Sequence, residues 1–134
     1  MFLLERVTRF DGEEIECAAS SHRDPSNPLR HDGRLPAHAA IEYAAQAAGL
    51  HGGLLNRRMR SDAPPQMGYL AVVSNLHWQV ERLEDLPGDL EIRARCTSAT
   101  PGGRAYHVEI RHRGQSIMSG DLVIALEPAG SDAA

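Results

Sequence analysis

One carboxylate, Glu42, stands in the middle of a neutral stretch of small and apolar residues running from Ala37 to Asn56 (AHAAIEYAAQAAGLHGGLLN). Read as a helix, this stretch is apolar or small on nearly every side, the mark of a buried helix rather than a surface one. An acid there is expected to keep its proton or to find a partner, because an ionised, unpaired carboxylate pays a large desolvation penalty. That is the behaviour of a general acid. The plainer alternative is a carboxylate paired with an Arg of the sheet or reaching solvent at a subunit seam. Gln46 lies one turn beyond Glu42 on the same face, since positions four apart are neighbours, and is placed to orient the carboxyl.

Other chemistries find little support. His22, His31 and His38 match no zinc template such as HExxH, and no carboxylate completes a set, so no metal is expected. Ser20, Ser21 and Ser26 lack the Gly-x-Ser-x-Gly elbow of a serine nucleophile. The formal charge of −4 and the scattered basic residues give no case for nucleic acid. Met1 to Leu4 is too short an apolar run for a signal peptide, and the Ala-rich stretch carries Gly, His, Gln and Glu, which argues against a membrane span. Cys17 and Cys96 are far apart with no CxxC, as in a cytoplasmic protein.

The elements that must hold Glu42 are one long helix with strands on both sides. Residues 2–10 and 14–19 read as a hairpin around the Asp11-Gly12 turn. Residues 20–35 are loop, and Pro36 opens the helix, where its missing N–H costs nothing. Gly52-Gly53 is expected to begin its fraying end, with Arg57, Arg58 and Arg60 complementing the C-terminal dipole. Residues 62–66 form a second loop. Residues 69–73 and 76–83 read as consecutive strands or one bent strand, with Trp78 and Val80 expected in the core. Further strands at 90–98, 104–112 and 116–126 follow turns at Pro87-Gly88-Asp89, Pro101-Gly102-Gly103 and Arg113-Gly114-Gln115. Leu90, Ile92, Ala94 and Cys96 alternate with polar residues, the pattern of a sheet with one wet face. The chain of 134 residues suits one domain, an α+β layer fold with an antiparallel sheet wrapped around the helix. Long strands leave edges that favour a dimer.

The segment from Leu35 to Gly49 (LPAHAAIEYAAQAAG) resembles the central-helix motif of hotdog-fold 3-hydroxyacyl-ACP dehydratases, with Pro36, Glu42 and Gln46 in register. Phe2 to Val7 resembles that family's opening strand, Gly68 to Ala71 the strand after its helix, and Pro87-Gly88-Asp89 its Pro-Gly-Asp turn. The chain looks most similar to the divergent branch found with aryl-polyene, polyketide or fatty-acid gene sets. The resemblance implies a hotdog domain over residues 1–128, a disordered tail at 129–134, and dehydration of a 3-hydroxyacyl thioester to the trans-2-enoyl product. It implies no cofactor beyond the phosphopantetheine of acyl carrier protein or CoA that carries the substrate. Glu42 is then the acid, and amides near Ala37 and His38 hold the thioester carbonyl oxygen. Arg57, Arg58 and Arg60 would also suit an acidic carrier or the phosphate of the phosphopantetheine arm.

Two departures bear on the site. The family's catalytic His precedes the helix, but the comparable stretch here is Ser26-Asn27-Pro28-Leu29, which puts Asn27 in its place with a one-residue gap. Neutral Asn accepts no proton as His does. His31 is the remaining in-chain candidate for the base, ahead of His22. The family's Gly after Pro is Ala37, which narrows the backbone's approach to a thioester. Since a hotdog site forms between protomers, three readings stand: a self-sufficient homodimeric dehydratase, a hotdog subunit that completes a heterodimer or lends it only shape, and an acyl thioesterase on the same fold.

Overall fold

The computed structural model describes residues 2–59 and 68–126. In chain order the elements are β1 (Arg6–Phe10), β2 (Glu14–Ala19), a 3₁₀ turn (Ala37–Ala39) leading into α1 (Ala40–Met59), β3 (Gly68–Trp78), β4 (Leu90–Thr100), β5 (Gly103–His112) and β6 (Gln115–Leu126). The strands form one sheet in the order β1-β2-β4-β5-β6-β3, with every pair antiparallel. The β1–β2 turn closes as its sequence requires: Asp11 Oδ1 accepts the amides of Glu13 and Glu14 at 2.8 and 2.9 Å.

Helix α1 lies across the inner face of this sheet and touches β2 through β6. Its inward positions are Ala40, Tyr43, Ala44, Ala47, Ala48 and His51, all buried, at the spacing of one helical stripe. Alanine at most of these positions lets helix and sheet approach closely. Opposite stand Leu90, Ile92 and Ala94 of β4, Tyr106, Val108 and Ile110 of β5, and Met118, Leu122 and Ile124 of β6. Each large apolar side chain in this layer contributes roughly 1.5–3 kcal/mol by leaving water.

Several expectations need correction. The helix runs through Gly52 and Gly53 to Met59, because Leu54 beyond them still packs on the core. Of the two readings of the segment after it, the single bent strand is the one formed, though it ends at Trp78 rather than at residue 83, with register shifts at Leu70/Val72 and Ser74/His77. Asn75 sits at the second with φ 54°, its side-chain amide donating to Asp121 Oδ2 at 2.8 Å. Residues 79–83 leave the sheet to run beside the helix entrance, where Leu83 N–H donates to Leu35 O at 2.8 Å. Trp78 is 36% exposed rather than core, because β3 is an edge strand of the described sheet. The first strand begins at Arg6, although Leu3 and Leu4 before it are buried. The expected loop at 62–66, Arg60 and the tail at 129–134 lie outside the described residues. Among those described, no helix is long and apolar enough to cross a membrane.

Candidate active site

Glu42 lies on the outward face of α1 and is exposed in this chain, which corrects the expectation that the helix buries it. The reason is the kind of amphipathicity the helix has. Alanine and glycine occupy both faces, so the apolar count suggested burial all round. The large inward residues Tyr43 and His51 nevertheless set which face docks. Gln46, half-buried one turn along, accepts the Leu3 N–H at 2.8 Å, and so ties the chain's first residues to the helix.

The helix mouth is formed by two backbone stretches side by side. Ala37 N–H donates to Glu81 O at 2.9 Å, so it is not available to a substrate oxygen, contrary to expectation. Ala39 N–H bonds to Pro36 O, and the Ala40 amide lies against the Ala37 and His38 carbonyls. Among the described residues, His38 is the position of this first turn whose amide keeps no partner. An open amide at the positive end of a long helix is an oxyanion site in the making. The His38 side chain is itself exposed, four residues before Glu42.

The loop before the helix places the remaining candidates. Asn27 is 3% exposed, and its polar atoms are used internally: Nδ2 donates to Ser21 O at 2.9 Å and to the Tyr43 hydroxyl at 3.2 Å, while Oδ1 accepts Leu29 N–H at 2.9 Å. It is a latch in the loop, with its polar atoms turned to groups of this same chain. His22 is fully buried; its Nε2–H donates to Leu86 O at 2.8 Å, and burial holds its pKa below the usual value. His31 is at the base of a two-residue hairpin turn whose tip is Asp32 (φ 52°) and Gly33 (φ 76°). Its side chain is 89% exposed, with Asp32 3.6 Å away. Of the two imidazoles of this loop, His22 is held in the core by its bond to Leu86 and His31 stands open to solvent.

A second polar group was not anticipated as a unit. His51 Nε2 faces the Asp11 carbonyl at 2.8 Å, which can only accept, so this nitrogen carries the proton. His51 Nδ1 is therefore bare and accepts the Tyr106 hydroxyl at 2.7 Å. Burial pushes the Tyr106 phenol up to about 12, against the opposing pull of the nearby Arg104 cation. Tyr106 and Arg104 border a cavity of about 680 Å³ between the second half of α1 and the ends of β3, β5 and β6. The alternation Arg104, Tyr106, Val108, Ile110 was the available signal, since it sets a cation at the end of an apolar row. Among the described residues, no group of His, Cys, Asp and Glu is arranged to hold a metal ion.

Comparison with known proteins gives this geometry a context. The structure is similar to the dehydratase heterocomplex ApeI:P from Xenorhabdus doucetiae, at 26% identity and a TM-score of 0.80, over 93% of this chain and 82% of that one. A thioesterase from Haemophilus influenzae (13% identity, TM-score 0.67, 96% and 82% of the two chains) and a hypothetical thioesterase protein from Streptococcus pneumoniae solved with coenzyme A (12%, 0.65, 92% and 85%) share the hotdog architecture alone. No curated protein matches the chain. The profile of the ApeP-like family, described as ApeP dehydratase, covers residues 1–133, and the chain belongs to that family.

Proposed function

We propose that this chain is the acid-bearing half of a heteromeric dehydratase, acting on 3-hydroxyacyl thioesters carried by the phosphopantetheine of an acyl carrier protein. A second hotdog subunit brings the base. In the reaction that base removes a proton from C2, Glu42 gives its proton to the departing C3 hydroxyl, and water and the trans-2-enoyl thioester result. The His38 amide holds the thioester oxygen as it gains enolate character.

The observation that carries this reading is the pairing of an open Glu42 with a closed Asn27. The carboxyl faces outward, as a group shared across an interface must, while the loop position that would hold the base is latched inside the chain. A covering subunit would also supply the desolvation that this helix lacks and that a general acid requires. The partner surface is β3, an unpaired edge with Tyr69 58% and Val72 50% exposed. The similarity to a dehydratase heterocomplex points the same way.

The test is reconstitution with a hotdog subunit that carries a histidine in the loop before its own helix. The isolated chain should leave 3-hydroxyacyl thioester unchanged and the mixture should dehydrate it. Glu42→Gln should still assemble but lose about 10²-fold or more in rate. Enzyme-like dehydration by the isolated chain overturns the two-subunit reading. Wild-type rates in the Glu42→Gln mixture remove the acid. Release of free thiol instead of enoyl product would mark a thioesterase.

A further inference from the structure

Arg104 ends the inward row of β5, where Tyr106, Val108 and Ile110 are all buried, and it pairs across the sheet with Ile124. Its side chain lies along α1, with Cδ and Nε 3.8 Å from where a Cβ on Gly52 would be. A cation at the edge of a core layer needs a counter-group, and Arg104, two residues from Tyr106 on the same face of β5, has five N–H donors to offer one. Among the described residues, no carboxylate lines the cavity that Arg104 borders, while Leu54 and Ile124 give it apolar walls.

The cavity lies in line with Glu42. Gly49 and Gly53 follow it by seven and eleven residues on the same helical face, and a Cβ at either would meet nothing within 4 Å. They are about 10 and 16 Å farther along the axis, so an extended acyl chain whose C3 lies at Glu42 would reach the cavity roughly eight to thirteen carbons beyond C3. The volume of about 680 Å³ is ample for such a tail. Glycine at these interior positions costs about 1 kcal/mol each against alanine, a cost that leaves the track open.

Resting on the function proposed above, we infer that this cavity receives the far end of a long acyl chain, and that Arg104 selects chains ending in an oxygen acceptor, a carboxylate above all. A slot with apolar walls, with the half-buried Arg104 at its inner side and the half-buried Asn56 and exposed Arg57 at the end of the helix, suits a long stem with a polar end, and Arg104 is the cation set among the buried residues. A plain alkyl end leaves Arg104 facing hydrocarbon.

The experiment measures binding of saturated pantetheine thioesters, which lack the 3-hydroxyl and cannot be dehydrated, to the chain and to its complex. Wild type should hold 11-carboxyundecanoyl-pantetheine about tenfold or more tighter than dodecanoyl-pantetheine. Arg104→Leu should bring the two to equality, and Arg104→Lys should keep part of the difference. Gly53→Leu, which helix propensity favours, should weaken both long ligands about tenfold and leave butyryl-pantetheine unchanged. Equal preference in wild type and Arg104→Leu overturns the selectivity, as does a Gly53→Leu variant that binds long chains normally. Because no turnover is measured, failure of the dehydratase reading would show separately, as a selective pocket in a protein that does not dehydrate.

Discussion

The Asn27 side chain donates to the Tyr43 hydroxyl at 3.2 Å, one residue along the helix from Glu42. The directions of the neighbouring bonds follow. Ser21 gives its hydrogen to the Leu3 carbonyl at 2.7 Å, so Tyr43 donates to Ser21, also at 2.7 Å. The loop, the helix and the first residues of the chain are thus joined by one buried relay, and Asn27 is its first donor.

Asn27→His therefore should not restore a base. The imidazole would enter a buried space whose groups are matched to an amide, and leaving one of them unsatisfied costs about 1–3 kcal/mol. Urea unfolding should show that loss, while the isolated variant stays inactive toward 3-hydroxyacyl thioesters. Dehydration by this variant alone would mean that position 27 faces the substrate after all.

Glu42 and Asn27 also show what the sequence could and could not disclose. The hairpin, the helix, the last three strands and the antiparallel layer were readable because turn chemistry and alternation are local signals. The alternation of β4 is one such signal: Leu90, Ile92 and Ala94 are buried between exposed Glu91, Arg93 and Arg95. The exposure of Glu42 was not readable, because small residues leave a helix's docking face to be fixed by its partners. Tyr43 sets that face by anchoring residues distant in sequence. The Asn27 latch was hidden for the same cause, since a loop amide reads alike whether it points inward or out. Arg104 was in plain view at an inward position of β5, but only the coordinates place it over Gly52.

His22 and His51 make stability depend on pH. Both are fully buried, and burial lowers the pKa of each below its ordinary 6.5. The unfolded chain then binds protons that the folded one refuses. Their contribution is complete above about pH 6.5 and is lost as pH falls toward their folded values, at up to about 1.4 kcal/mol per pH unit for each group. Unfolding free energy should decline between pH 7 and 5, before the lowered carboxylates Asp11, Glu16, Asp24 and Asp121 begin to protonate. His51→Gln should flatten that decline. A stability that is level or rising across this interval would contradict the neutral, buried state of both rings.

The β3 edge should govern assembly separately from folding. Val72 is half exposed on an edge strand that pairs with β6 on one side, so a lysine there costs this chain little, within about 0.5 kcal/mol. The same lysine places a charge on an edge that another sheet would have to cover, one of the ways proteins keep strands from pairing. Val72→Lys should therefore keep the wild-type urea midpoint while light scattering shows association with the histidine-bearing subunit weakened about tenfold or more. Dehydration by the mixture should fall in step with the complex and recover at high partner concentration, which a defect in Glu42 chemistry would not do. A variant that assembles as tightly as wild type would move the interface away from this strand. It would then have to lie on the helix face bearing Glu42, Gly49 and Gly53, and the acyl track would be buried by the partner directly rather than bordered by a joined sheet.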